Sequence, residues 1–219
     1  QKFNITVALI TGFPEEERDD LEDTMQFLVR AARNDGADPQ MNMLAPLAAT
    51  PVYEKYKDQL VLDPIVSRVS HLGLEIRSAD RELIAAHPRL FPDFYALPTR
   101  MPRTYVESAR LFFLYGTNHP RWVFAALQRV AGKLLDIHDA WAAWRNDATL
   151  DSRYFGAAAF VDDMMCFVSE RYGDSLRAAR LDTILPFERA SFNARFRLYE
   201  GTANGRKILP VPLADNVEA

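Results

Sequence analysis

Residues 7–53 read VALITGFPEEERDDLEDTMQFLVRAARNDGADPQMNMLAPLAATPVY. The run from residue 3 to residue 10, FNITVALI, alternates and then fills with apolar and β-branched residues, which predicts a strand covered on both faces. Thr11-Gly12-Phe13-Pro14 breaks that strand. Glu15, Glu16, Glu17, Asp19 and Asp20 then crowd the start of a helix, where the positive end of the helix stabilises each acid by about 0.3–1 kcal/mol. A solvated helix start is the reading that needs least of these acids. Leu21, Met25, Leu28 and Val29 recur at helical spacing and predict a buried stripe, flanked by Thr24 and Phe27. Asn34-Asp35-Gly36 is a stop signal. A second strand follows over residues 39–44. After it comes a loop bounded by Pro46 and Pro51, then a short helix over 52–59 with Pro51 in its first turn. The length of the crossover predicts a right-handed parallel β-α-β unit. In open and barrel α/β folds, ligands bind at the carboxyl ends of such strands.

Composition narrows the classes around this unit. Of the 219 residues, 48% are hydrophobic and 11% aromatic, enough to build a core, so the chain is not intrinsically disordered. A net charge of −4 from 26 basic and 30 acidic residues, interspersed, argues against nucleic acid as a partner. No apolar run is long enough to span a membrane and no secretory leader pattern is present. Cys166 is the only cysteine. One thiol forms no internal disulfide, which predicts a reducing, cytoplasmic compartment, and it cannot hold an iron–sulfur cluster. The chain begins at Gln1 and enters a buried strand almost at once. A lone parallel β-α-β unit leaves two sheet edges bare, so the expectation is a piece of a longer polypeptide.

From about Leu62 onward the pattern predicts helix and loop. Residues 78–86 predict a helix that buries Leu83 and Ile84. Four prolines, at 88, 92, 98 and 102, punctuate HPRLFPDFYALPTRMP and predict an ordered loop with aromatic anchors. Residues 104–114 predict a helix closing near Gly116. Residues 121–144 form the longest periodic run, with Trp122, Phe124, Leu127, Val130, Leu134, Leu135, Ile137 and Trp141 at helical spacing, closing at Asn146-Asp147. Residues 154–172 predict a helix closed by Gly173, and 175–184 a short one. Residues 192–199, FNARFRLY, alternate as a strand does, with a turn over 201–205 before a second strand at 207–211.

The opening stretch resembles radical SAM enzymes, in particular the branch that carries an upstream cobalamin-binding domain. Late in their barrel these share Gly-Leu-Pro-Gly-Glu-Thr, an acidic helix, a strand, and a Pro-x-Pro-Gly-Thr-Pro-Leu-Tyr loop. The matching residues are Gly12-Phe13-Pro14, Glu16, Asp20 and Leu21, then Asn42-Met43-Leu44-Ala45-Pro46 and Thr50-Pro51-Val52-Tyr53. The chain departs from the pattern where Glu15 replaces Gly, Glu17 replaces Thr and Ala48-Ala49 replace Pro-Gly. Glycine at such places permits positive φ or a close approach of backbone to ligand.

The resemblance implies an α/β fold: the last β-α-β portion of a partial (β/α)6 barrel over residues 1–62, then a mainly α-helical accessory region over 63–219 with a C-terminal strand pair. It also implies a [4Fe-4S] cluster held by a Cys-x3-Cys-x2-Cys loop, which this chain lacks. At that cluster S-adenosylmethionine is cleaved reductively, with cobalamin as a further cofactor in one branch. The residues implied to line the S-adenosylmethionine pocket are Thr11 and Gly12 after the first strand, and Asn42, Met43, Leu44 and Ala45 at the second. They are walls made of backbone and apolar surface. No catalytic residue and no metal ligand is implied in this chain. The chain alone is then expected to bind no cofactor and to be inactive. Its implied partners are the upstream half of the same barrel and a small-molecule or peptide substrate, with no nucleic acid and no membrane.

Other candidate chemistry is thinner. His71 and Glu75 share a helix face at metal-ligand spacing but lack a third ligand. His87 and His119 each precede proline, which marks turns and helix ends. Asp136, Asp139, Asp162 and Asp163 could face each other across two helices, yet the Glu-x-x-His spacing of carboxylate-bridged metal bundles is absent. Cys166, beside Met164 and Met165, reads as a small buried hydrophobe. Phe91, Phe94, Tyr95, Trp122, Trp141 and Trp144 read as core. No Ser/His/Asp or phosphate-loop signature is present. Two functions therefore compete. One is the C-terminal portion of a radical SAM enzyme, lining the cofactor pocket and shaping the substrate side. The other is a non-catalytic helical interaction module with a degenerate β-α-β unit.

Overall fold

A computed structural model describes residues 5–34, 36–62, 78–146 and 157–200. β1 (Ile5–Thr11), α1 (Arg18–Ala32) and β2 (Ala37–Met43) form the expected β-α-β unit. The two strands pair in parallel from Ile5 opposite Ala37 to Thr11 opposite Met43. α2 (Pro51–Tyr56) follows, with the Thr50 hydroxyl accepting the Tyr53 N–H as its cap. The two-residue strands β3 (Val61–Leu62) and β4 (Tyr95–Ala96) pair antiparallel on either side of α3 (Ser78–Ala86). The rest is helical: α4 (Arg103–Asn118), α5 (Arg121–Ala131), α6 (Leu134–Arg145), α7 (Ala157–Ala178) and α8 (Ile184–Glu200). No described helix is long and apolar enough to cross a membrane. The chain is thus mixed α/β, mostly helical, with small sheets.

The core runs without a break from the β-α-β unit into the helices. Leu21, Met25, Leu28 and Val29 of α1, with Met41 of β2, join Phe112, Phe113, Phe124, Leu134, Trp141, Phe160 and Phe167 in one buried cluster. Phe112 sits at its centre. Its ring centroid lies 4.8 Å from that of Trp141, 5.0 Å from Phe113 and 5.1 Å from Phe124.

Polar groups join the layers. The Glu22 carboxylate of α1, buried, accepts the Leu134 and Leu135 N–H groups, each at 2.8 Å, and so caps α6. Glu188 of α8 accepts the Trp122 N–H at 2.7 Å and caps α5. Arg110 of α4, buried, clamps Glu107 through two nitrogens at 2.8 and 2.9 Å and donates to the Met41 carbonyl at 2.8 Å.

The two edges of the parallel sheet are unlike. Ile5 donates to the Gly36 carbonyl and Leu44 donates to the Thr11 carbonyl. By the alternation of the ladder, odd residues of β1 and even residues of β2 bond across the pair. The outer edge of β2 therefore presents Pro39, which has no N–H, and the Met41 carbonyl, which Arg110 occupies. The outer edge of β1 carries neither device. It has no proline, no charge and no described partner strand.

Several expectations need correction. β1 is covered on one face only: Ile10 is 50% exposed, because α1 and α4 pack on the opposite side. Leu83 points outward, and Ile84 is the one buried residue of α3 among those whose side chains are described. Gly116 does not end α4. It lies inside the helix because Phe124 packs on it so closely that a Cβ there would fall 2.2 Å from the ring. The run 121–144 is two helices, broken at Gly132 (φ +81°), and Glu22 caps the second. Gly173 lies within α7, which ends beyond it at Ala178 before Arg180 turns left-handed (φ +58°). Residues 179–183 are turn, not part of a short helix. Residues 192–199 are helix, not strand: Phe192, Phe196 and Tyr199 recur at spacings of four and three, while the alternation runs through Phe192, Ala194, Phe196 and Leu198, and Phe192 is buried in the core. Cys166 is exposed, because Met164, Met165, Phe167 and Val168 take the inner face of α7 and leave it on the outer one. Trp141 is buried, while Trp144 is partly exposed and donates to Glu170 at 2.8 Å. His71 and Glu75, and the turn and strand expected at 201–205 and 207–211, lie outside the described residues.

Candidate functional site

The carboxyl end of the parallel sheet brings together all six residues singled out as a pocket wall. Thr11 lies opposite Met43 and Ile10 opposite Asn42. The Leu44 N–H donates to the Thr11 carbonyl at 2.7 Å, and the Leu47 N–H to the Ala45 carbonyl at 2.9 Å. Gly12 takes φ +85°, and a Cβ there would stand 2.9 Å from the Met43 methyl. Only glycine allows that turn and that approach together. Thr11 and Met43 are buried on the helix side, whereas Asn42 is half-buried and, by the pleat, shares the bare face with Ile10.

Glu16 holds this turn. Its carboxylate is buried and accepts the Thr11 hydroxyl at 2.8 and 2.9 Å and the Gly12 N–H at 2.8 Å. It is thus a loop anchor rather than part of a solvated helix start. The neighbouring acids behave differently. Asp20 accepts the Glu17 N–H at 2.9 Å at the exposed start of α1, and Glu17 pairs with Arg100. Glu15 reaches α2, where the Lys55 ammonium at 2.6 Å, and after it the Tyr56 hydroxyl, hold its carboxyl down at about 2. The loop after β1 is therefore fastened on both flanks. Exposed Phe13 and Leu47 add apolar surface beside Ile10 at the same end.

On the second loop, Ala49 adopts φ +66°. An L-residue in the left-handed region costs roughly 1–2 kcal/mol. Replacing Ala49 with glycine is expected to stabilise the protein by about 0.5–1 kcal/mol after the added chain entropy of glycine. A thermal unfolding midpoint about 2 °C higher would register it.

These residues suit one of the implied groups and not the other. Of the six, Asn42, Leu44 and Ala45 are half-buried and offer the backbone and apolar surface that an adenine-bearing ligand requires, whereas Thr11, Gly12 and Met43 are buried. A cluster needs several thiolates, and the single Cys166 stands exposed on α7, away from the sheet. No group of three potential metal ligands exists among the described residues. Asp136 and Asp139 both pair with Arg18, Asp162 with Arg189 and Asp163 with Arg145, so the four acids do not form one site.

The structure also assembles a chain the sequence does not announce. Ser108 Oγ lies 2.9 Å from His138 Nε2, and His138 Nδ1 lies 3.0 Å from Asp139. Arg18 bonds the other Asp139 oxygen at 2.8 Å and also contacts the Tyr105 hydroxyl. Burial opposes the Asp139 charge, but hydrogen bonds from His138, Tyr105 and Arg18 outweigh it and lower its pKa. Burial likewise opposes the Arg18 charge, and Asp136 and Asp139 outweigh it. Ser108 and His138 are buried within the helices, with Tyr105 and Phe112 edge-on to the imidazole at 5.3 and 5.5 Å. A nucleophile needs access to substrate, so this is a strut joining α1, α4 and α6. His87 ends α3 at an exposed turn and His119 ends α4, as their prolines imply.

Sequence reasoning placed the six wall residues through one long motif and missed Glu16, Glu22, Arg110 and His138. Glu16 carried a faint signal, five residues after Thr11 and at a matched motif position. The others had none, because their partners lie far along the chain. In comparison with known proteins, the chain matches no family model, no curated protein and no solved structure.

Proposed function

We propose that this chain is the C-terminal portion of a radical SAM enzyme, whose carboxyl-end loops line the S-adenosylmethionine pocket while the helical region shapes the substrate side. One observation carries the reading. The motif pattern has glycine at positions 12, 15 and 49, and the backbone is left-handed at the first and last, at φ +85° in Gly12 and φ +66° in Ala49, but not at Glu15. The second loop keeps the conformation that glycine serves although this chain has lost the glycine at position 49. The bare face of the sheet and the unguarded edge of β1 suit a unit completed by the upstream half of the same barrel.

In this reading the group bound in the complete protein supplies reductive cleavage of S-adenosylmethionine at a [4Fe-4S] cluster held elsewhere, with cobalamin a further cofactor of the branch it resembles. The residues of this chain do quieter work. Glu16 fixes the Thr11–Gly12 turn, Met43 closes it from behind, and Asn42, Leu44 and Ala45 present wall. The complete protein, reconstituted anaerobically with iron and sulfide, is expected to turn brown and to release 5′-deoxyadenosine from S-adenosylmethionine under reduction. The 219-residue chain alone is expected to do neither. A colourless complete protein would sink the proposal and leave the non-catalytic interaction module as the better reading.

A further inference from the structure

The run HPRLFPDFY, residues 87–95, takes no part in the cofactor wall proposed above. It builds something of its own. α3 stops at Ala86, and His87-Pro88-Arg89-Leu90 turns back. The Leu90 N–H donates to the His87 carbonyl at 2.9 Å and the Phe91 N–H to the same oxygen at 3.3 Å. Pro88 fixes φ inside that turn. The Tyr95 hydroxyl donates to the Ile84 carbonyl at 3.0 Å, tying the returning chain to the last turn of α3. The tip that carries His87 and Arg89 is thereby held from both sides.

Across from it stand Tyr53 of α2 and, in the 3-10 turn that follows, Lys57 and Asp58. Between the two walls lies an open cleft of about 350 Å³. Its polar groups are poorly occupied by the protein itself. Tyr53 is 2% exposed, yet its hydroxyl has no hydrogen-bond partner among the described residues. An unpaired hydroxyl that lines a cleft is placed to serve a ligand. The side chains of His87 and Arg89 likewise make no hydrogen bond or ion pair among the described residues. The nearby acid Glu54 pairs with Lys57 at 2.9 Å and also feels the Arg89 charge, so the Arg89 guanidinium forms no ion pair but its charge is partly offset.

We propose that this cleft binds a small oxyanion, the carboxylate or phosphate group of a metabolite-sized ligand. Arg89 supplies the counter-charge through its planar fork, which matches both groups. His87 and the Tyr53 hydroxyl supply further hydrogen bonds, one at the rim and one at the buried wall. Lys57, held by Glu54, contributes little net charge. Asp58 on the same lining repels the ligand and sets an upper limit on the charge the cleft accepts. The site is independent of the radical SAM reading and stands or falls without it.

The test is a titration of the full 219-residue chain with inorganic phosphate and, separately, with acetate, at constant ionic strength balanced by chloride. Backbone amide shifts at residues 57, 58, 87, 89 and 90 are the readout. Saturable shifts with at least one of the two are expected. The anion that saturates identifies the ligand group as phosphate, carboxylate or either. R89Q is expected to weaken binding about tenfold, the scale of a charge-assisted bond at an exposed site. Y53F is expected to weaken it about threefold, the scale of one neutral hydrogen bond. Its unfolding midpoint should not fall, since that hydroxyl serves no protein partner. D58N is expected to tighten binding. Shifts that fail to saturate with both anions, as for an adventitious ion only, would overturn the proposal. So would unchanged binding in a folded R89Q variant.

Discussion

Replacing Arg110 with methionine is expected to destabilise the protein by about 3–5 kcal/mol, the cost of stranding a buried charge. Arg110 and Glu107 are both buried and joined by two hydrogen bonds along one face of α4. Methionine matches the length of the arginine stem but none of its donors. The Glu107 carboxylate is then left buried with no counter-charge, and the Met41 carbonyl loses its donor. Typical domains are stable by about 5–15 kcal/mol, so the loss is a large share of the whole. Urea unfolding followed by circular dichroism measures it as a lower midpoint at similar slope. The companion variant R110M/E107L removes both charges and is expected to recover most of the loss, because apolar replacement of a whole buried pair is often neutral or better. If R110M unfolds at the parent midpoint, the clamp contributes nothing and this account of the β2–α4 junction fails.

Phe112→Ala is expected to cost a similar 3–5 kcal/mol, by a different route. The ring is fully buried and touches four other aromatic groups edge-on or tilted: Phe113, Phe124, Trp141 and Phe160. Alanine leaves a hollow that these rigid rings cannot collapse to fill. The His138 ring, 5.5 Å away, also loses its packing partner. F112L keeps most of the volume and is expected to lose well under half as much. The same unfolding experiment ranks the two variants, and equal midpoints would show that the cluster centre lies elsewhere.

The parts of the fold legible in the sequence are those where local pattern and tertiary packing ask for the same thing. The Leu21, Met25, Leu28, Val29 stripe sits at helical period behind an acidic start, and it is buried as read. The strand, helix, strand order and its parallel pairing follow from element lengths alone. Where local signals allowed two answers, packing chose. FNARFRLY fits both a period of two and a stripe at 192, 196 and 199, and helix won. Gly116 and Gly173 looked like stops but lie within helices, the first because Phe124 occupies the space a side chain would need. Gly132, inside the run 121–144 that reads as one helix because its apolar residues stay in phase, breaks it into two. Of the candidate site, the glycine turn and the proline-bounded loop were readable because turn chemistry is local. Its anchor Glu16 was hidden among five acids, and Arg110 beneath the sheet depends on a carbonyl 69 positions away.

The caps of α5 and α6 bear on how the chain reaches this structure. Most helices take an N-cap from the adjacent residue, available as soon as the turn forms. Here the donors of α5 and α6 are met by Glu188 and Glu22, across 66 and 112 residues. The two helices have 11 and 12 residues, and helices that short are marginal on their own. Their first turns fray until α8 and α1 have arrived. Closing such long loops before any reward is gained is what slows folding in chains of high contact order. Folding of this protein is therefore expected to be committed late, its amino-terminal helix and its bundle gaining their stability in the same step.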